Sequence, residues 1–170
     1  AVSLAHGLLS AYDTLAPRAL GAGRLAERGA LAQRGGALAL LLVALAAGAW
    51  RAGAEALLLA AGQPAAAARG ASAFLRAFTP ALPAIVGFET VRRFLVAQGV
   101  LRPCVIATAL GCYGVHPVAL RLLAPLRVTG AAAALAVSNW SILAITLALV
   151  RVGAPHKPRS KSTRHNSSHQ

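Results

Sequence analysis

Residues 128–150 read VTGAAAALAVSNWSILAITLALV, 23 consecutive residues without a charge. A bilayer core is crossed by roughly 20 apolar residues in a helix, so this run is long enough to span one. It ends abruptly at RVGAPHKPRSKSTRHNSSHQ, residues 151–170, which is basic, rich in serine and poor in apolar residues. That composition cannot bury enough surface to offset chain ordering, and a disordered basic tail is expected over 153–170.

The rest of the chain shares the character of that run. Of 170 residues, 57% are hydrophobic and 12% charged, against roughly 25% charged in soluble domains. Alanine and leucine dominate and favour helix. Moving upstream, residues 103–120 carry no charge, although His116 and Pro117 fall near their end. Residues 36–50, GALALLLVALAAGAW, are also uncharged. Arg34 and Arg51 flank them, able to extend the span by snorkelling, and Trp50 stands where an interfacial indole is expected. Residues 70–100 are harder to read, because Pro80 and Pro83 interrupt the stretch between Arg76 and Glu89. Prolines are tolerated in membrane helices whose neighbours satisfy the freed carbonyls. The expectation is an all-α, polytopic transmembrane bundle. Its helices lie near 36–52, 70–100, 103–122 and 128–150, with an apolar stub at 1–12, and loops over 13–35 and 51–69.

The net charge of +13 comes from 17 Lys and Arg against four acids. Nucleic-acid binding requires those cations gathered on one face; here apolar runs separate them, and no nucleic-acid partner is expected. The partner is the lipid bilayer. Alternating helices place residues 13–35, Arg92, Arg93, Arg102 and the tail on one side, which the positive-inside rule assigns to the cytoplasm. Cys104 and Cys112 are eight apart, about 12 Å along a helix, too far to bridge; both read as packing residues. The chain starts with Ala and contains no Met, so a fragment of a longer product is expected.

Residues 7–34, GLLSAYDTLAPRALGAGRLAERGALAQR, resemble a stretch that follows the second helix of the multidrug and toxic compound extrusion (MATE) transporters. Ala11, Asp13, Thr14, Leu15, Ala19, Gly21, Ala22, Gly23, Gly29, Gln33 and Arg34 match it; Pro17 and Arg18 depart from it. Pro80, Arg93, Phe94, Leu95, Ala97, Gln98 and Pro103 resemble a plant-type pattern of the same family, with Val96 departing. Residues 130–140, GAAAALAVSNW, look like the start of its sixth helix.

The resemblance implies part of the first of two six-helix lobes, from the end of helix two to helix six, over residues 1–152. It also implies exchange of an organic solute for protons or sodium, with no cofactor beyond that coupling ion and no enzymatic activity. The membrane implied is the plasma membrane or a vacuolar or other organellar one. A chain that keeps the lobe without transporting, and a soluble alanine-rich bundle, are the competing readings; the 23-residue run argues against the second.

Among polar candidates, Asp13 reads either as a coupling carboxylate or as a helix-end acceptor of backbone N–H bonds. Glu89 precedes Arg92 by three and Arg93 by four, the spacing at which side chains meet on a helix. That pairing suits a structural role better than proton carriage. Gln98 and Asn139 read as substrate contacts or as amides bonding between helices. His6 and His116 have no partner legible in sequence. No nucleophile–base pair is evident, and GAGRLAERG follows no strand, so it is not a dinucleotide loop.

Overall fold

The computed structural model describes residues 25–153 together with Ser3, His6, Gly7, Leu9 and Ser10. Every element in that set is helical: α1 (Leu25–Ala60), α2 (Ala65–Phe78), α3 (Ala81–Val96), α4 (Arg102–Ala109), a π-helical segment (Leu110–Val115), α5 (His116–Leu123), a 3-10 turn (Ala124–Leu126) and α6 (Arg127–Gly153). The tail from residue 154 onward, Asp13, Thr14, Gly21 and Ala22 lie outside the described residues.

α1 is longer than hydropathy suggests. It starts inside the stretch expected to be a loop and runs through Arg51 and Glu55 to Ala60. Charges mark where the apolar run stops; the helix stops only where its hydrogen bonds are diverted. That happens at Gly62, whose φ is +78°. Gln63 N–H bonds to Leu58 O and Gly62 N–H to Leu59 O, both at 3.0 Å. This pair of bonds is the Schellman arrangement that a left-handed glycine permits, and Pro64 then starts the next helix. Gly99 (φ +74°) ends α3 the same way, with Val100 N–H on Leu95 O and Gly99 N–H on Val96 O, both 2.9 Å.

The segment expected as one helix over 70–100 is two. It starts earlier, at Ala65, and bends by 53° between α2 and α3. Pro80 and Pro83 explain the break: neither has an N–H to donate, and each ring crowds the preceding turn. Residues 102–153 are one apolar run of 52 residues, but they fold back on themselves. Gly111 faces Ile142, His116 meets Ser138, and Gly130 lies against the Leu123 carbonyl. These pairings share a nearly constant sum of residue numbers, as an antiparallel hairpin requires. Its tip is the 3-10 turn and Arg127, whose φ of 54° and ψ of −121° are unusual for a residue with a side chain. The α4-to-α5 arm covers about 33 Å and α6 about 40 Å at 1.5 Å per residue, each enough to cross a hydrocarbon core of about 30 Å.

α6 is the hub, packing against α2, α3, α4, α5 and the π segment, while α1 packs on α2 and α3. The buried positions of α6, on more than one side of the helix, are small or polar apart from Ile142: Gly130, Ala132, Ala134, Ala136, Ser138 and Thr146. Small side chains let backbones approach where lipid supplies no hydrophobic drive. A second cluster joins Leu9, Ala39, Val43, Ala47, Leu82 and Val86. Trp50 and Phe78, both partly buried, pack against this cluster.

Large apolar side chains face outward. Leu38, Leu41 and Leu45 line one face of α1; Val105, Leu110, Val118 and Leu122 do so along the hairpin. Such outward exposure of large apolar side chains suits a lipid environment. Gly29–Ala60 and Arg102–Gly153 are long and apolar enough to cross a membrane, and the bent pair α2 with α3 is a further candidate.

Candidate functional site

Two polar assemblies lie within this apolar bundle. The first is on α3. Helical spacing brings Arg92 and Arg93 onto Glu89, which is 7% exposed. Arg92 grips the carboxylate with both ends of its guanidinium, Nε donating to Oε2 at 2.9 Å and Nη2 to Oε1 at 2.5 Å. Arg93 Nε donates to Oε1 at 3.1 Å. Both oxygens are therefore engaged by charge-assisted bonds, the strong kind. The Arg93 side chain is nearly as buried as the carboxylate, while that of Arg92 is 40% exposed. One residue along, Thr90 returns its hydroxyl to Val86 O at 2.8 Å and meets Gly36 of α1. The knot thus sits where α1 and α3 touch.

The second assembly is on α6 at residues 138–140. Trp140 Nε1 donates to the Pro80 carbonyl at 3.0 Å, tying α6 to the bend between α2 and α3. Ser138 is 3% exposed; its Oγ donates to Ala134 O at 2.7 Å and lies 3.1 Å from His116 Nδ1. Between them, Asn139 Nδ2 donates to Leu135 O at 2.8 Å. His116 follows the π segment, and its own N–H bonds to Gly111 O, five residues back. Pro117 accounts for the widened turn: it has no N–H, and its ring would crowd the Tyr113 carbonyl in a regular helix. Gly111 makes the close approach to α6 possible, since a Cβ there would overlap Ile142.

Of the sequence candidates, Glu89 and Arg93 meet directly. Pro80 acts through its carbonyl, and Asn139 is half-buried beside Ser138. Gln33 and Arg34 are exposed on α1, and Gln98 is exposed in the turn after α3. The sequence reading missed the pairing of His116 with Ser138 and of Trp140 with Pro80. These partners are 22 and 60 residues apart, and only the tertiary fold brings them together. Among the described residues, no group of three or more His, Cys, Asp or Glu converges to hold a metal ion.

Comparison with known proteins bears on the resemblance. The MatE family model matches residues 1–120. The chain belongs to the MatE family. Among its relatives is the zebrafish (Danio rerio) protein named multidrug and toxin extrusion protein 1, 35% identical over 159 residues. The match covers 92% of this chain and 27% of that protein, so the chain spans about a quarter of its relative's length. No solved structure matches the chain significantly. Family membership and the outward apolar faces together make this MatE chain an integral membrane protein.

Proposed function

We propose that this MatE chain forms part of the first lobe of a secondary antiporter that exports organic solutes, xenobiotics among them, in exchange for protons or sodium. The observation that carries the reading is the 35% identity to a multidrug and toxin extrusion protein over nearly the whole chain. The segment corresponds to the end of helix two through helix six, and its motifs resemble plant and algal members. A plasma or organellar membrane is the setting. An antiporter needs helices that pack closely without fusing into one rigid block. The small buried residues of α6 and the bend at Pro80 favour this reading.

A second reading is a non-transporting membrane protein that keeps the lobe fold. It is favoured by the share of the relative that is spanned, 27%. The test has two steps. A transcript read through both ends of this segment shows what accompanies it. The encoded product is then reconstituted in vesicles, and uptake of a fluorescent organic cation is followed under an imposed proton or sodium gradient. Gradient-driven uptake supports the antiporter. A transcript ending at Gln170 together with no uptake would replace it with the second reading.

A further inference from the structure

His116 lies inside a membrane-spanning arm, and its contact with Ser138 has a chemical consequence. A serine hydroxyl carries one hydrogen. The Ser138 Oγ is 2.7 Å from the Ala134 carbonyl, which can only accept. Two acceptors that close repel unless a proton lies between them, so the hydroxyl hydrogen is committed to Ala134. Towards His116 the Ser138 oxygen is then an acceptor, and the 3.1 Å contact requires Nδ1 to be the donor. In a neutral imidazole with the proton on Nδ1, Nε2 bears the lone pair.

We propose that His116 is a proton-binding site within the membrane, taking up the proton at Nε2 while Nδ1–H stays on Ser138. The step forms one N–H bond, with the proton arriving from water and no other bond changing. Its distinguishing feature is that the anchor survives. A histidine held through an accepting Nδ1 must give up that bond or rotate when it becomes a cation; here Nδ1 donates in both states. The ring can therefore gain and lose charge without moving.

Two further observations support the assignment. Ionisable side chains within membrane spans are costly and seldom idle, and this one follows a π-helical segment, a distortion that recurs at functional sites. Among the described residues of the elements packed against it, no acidic side chain cancels the charge it acquires. α6 carries no titratable side chain between Arg127 and Arg151. On the arm that contains His116, the titratable groups within two turns are Cys112, Tyr113 and Arg121, of which Arg121 is cationic. The 3-10 turn has none. A second cation, such as a protonated organic solute, would be repelled while His116 holds its proton and tolerated once the proton leaves. This link to exchange rests on the antiporter reading; proton binding itself does not.

The test reads protonation directly. The whole chain, with ¹⁵N-labelled histidine, is placed in lipid nanodiscs, and the ring nitrogens of His116 are assigned by comparison with His116→Gln. At neutral pH the expected signals are a protonated Nδ1 and a bare Nε2. Acidification should convert Nε2 to N–H while Nδ1 remains protonated. Ser138→Ala should move the neutral ring toward the Nε2–H form, with helical circular dichroism unchanged. Ser138→Thr, which keeps the acceptor oxygen, should preserve the wild-type tautomer. Three results would each overturn the proposal: a neutral wild-type ring protonated on Nε2, no second proton at any pH at which the fold survives, or a tautomer indifferent to Ser138→Ala. None of these measurements depends on transport, so failed uptake in vesicles leaves the outcome readable.

Discussion

Replacing Glu89 with Ala should destabilise the bundle, and the structure sets the size of the effect. The carboxylate accepts three charge-assisted bonds, two from Arg92 and one from Arg93. Breaking a buried ion pair from one side costs about 3–5 kcal/mol, less whatever share the arginines' other interactions retain. The two arginines do not share that cost equally. The Arg92 side chain is 40% exposed and can turn toward water or headgroups, so its part falls toward the small value of surface pairs. The Arg93 side chain is 11% exposed and has less freedom to do so. The net expectation is about 2–4 kcal/mol, at the lower end of the buried range.

In a chain of this size, 1 kcal/mol moves the melting temperature by about 2–4 °C. Glu89→Ala should therefore melt roughly 4–16 °C below wild type, as followed by tryptophan fluorescence in detergent. Glu89→Gln, which keeps an acceptor oxygen but loses the charge, should lose about half as much. A cycle of Glu89→Gln with Arg93→Gln should show a double variant more stable than the sum of the two losses. Because the pair is buried, molar salt should shrink the gap only slightly. If Glu89→Ala melts within about 1 °C of wild type, or the cycle is additive, the knot does not stabilise α3 and the argument from burial is wrong.

Three other substitutions probe separate joints. Trp140→Phe keeps most of the ring but removes the bond to the Pro80 carbonyl; a loss of about 1 kcal/mol is expected, measured by the same melt, with Trp50 as the remaining reporter. Arg127→Gly should stabilise the hairpin by about 1 kcal/mol, since glycine accepts the φ of 54° and ψ of −121° without strain; the check is the detergent concentration at half-unfolding. At Gly36 a Cβ would lie 3.1 Å from both Thr90 Oγ1 and Cγ2, so Gly36→Leu should force α1 away from α3 at a cost of about 1–3 kcal/mol. Thr90→Ala should recover part of that loss, and a double variant no better than Gly36→Leu would show that the overlap is not the cause.

The all-helical class was legible because uncharged runs near 20 residues have few alternatives, and the i to i+4 spacing of Glu89 and Arg93 placed them together before any fold was known. What escaped the sequence has identifiable causes. Arg51 and Glu55 looked like the end of a helix because hydropathy measures fitness for lipid and not hydrogen bonding; the backbone continued until Gly62 could turn left-handed. Prolines 80 and 83 were visible as interruptions, but only the fold shows that the lost continuity becomes a 53° bend. His116 looked partnerless because its partner lies across a hairpin whose turn, residues 124–127, has no strong sequence signature apart from Pro125.

The two irregularities of the bundle are connected through α6. The bend between α2 and α3 is tied to Trp140, and the π-distorted arm is tied to Ser138, two residues earlier on the same helix. Residues two apart project about 200° from each other on a helix of 3.6 residues per turn, so these ties leave α6 on roughly opposite sides. Broken or widened helices persist at membrane depth only where something else satisfies the freed backbone or a cavity accepts it. At the bend the Trp140 indole bonds to the Pro80 carbonyl; on the other side the imidazole of His116 is held by a serine hydroxyl. A single turn of α6 therefore fixes the level at which both neighbouring helices depart from regularity. A sliding motion of α6 along its axis would strain both ties at once. Both ties therefore fasten α6 to its neighbours at one level of the bundle.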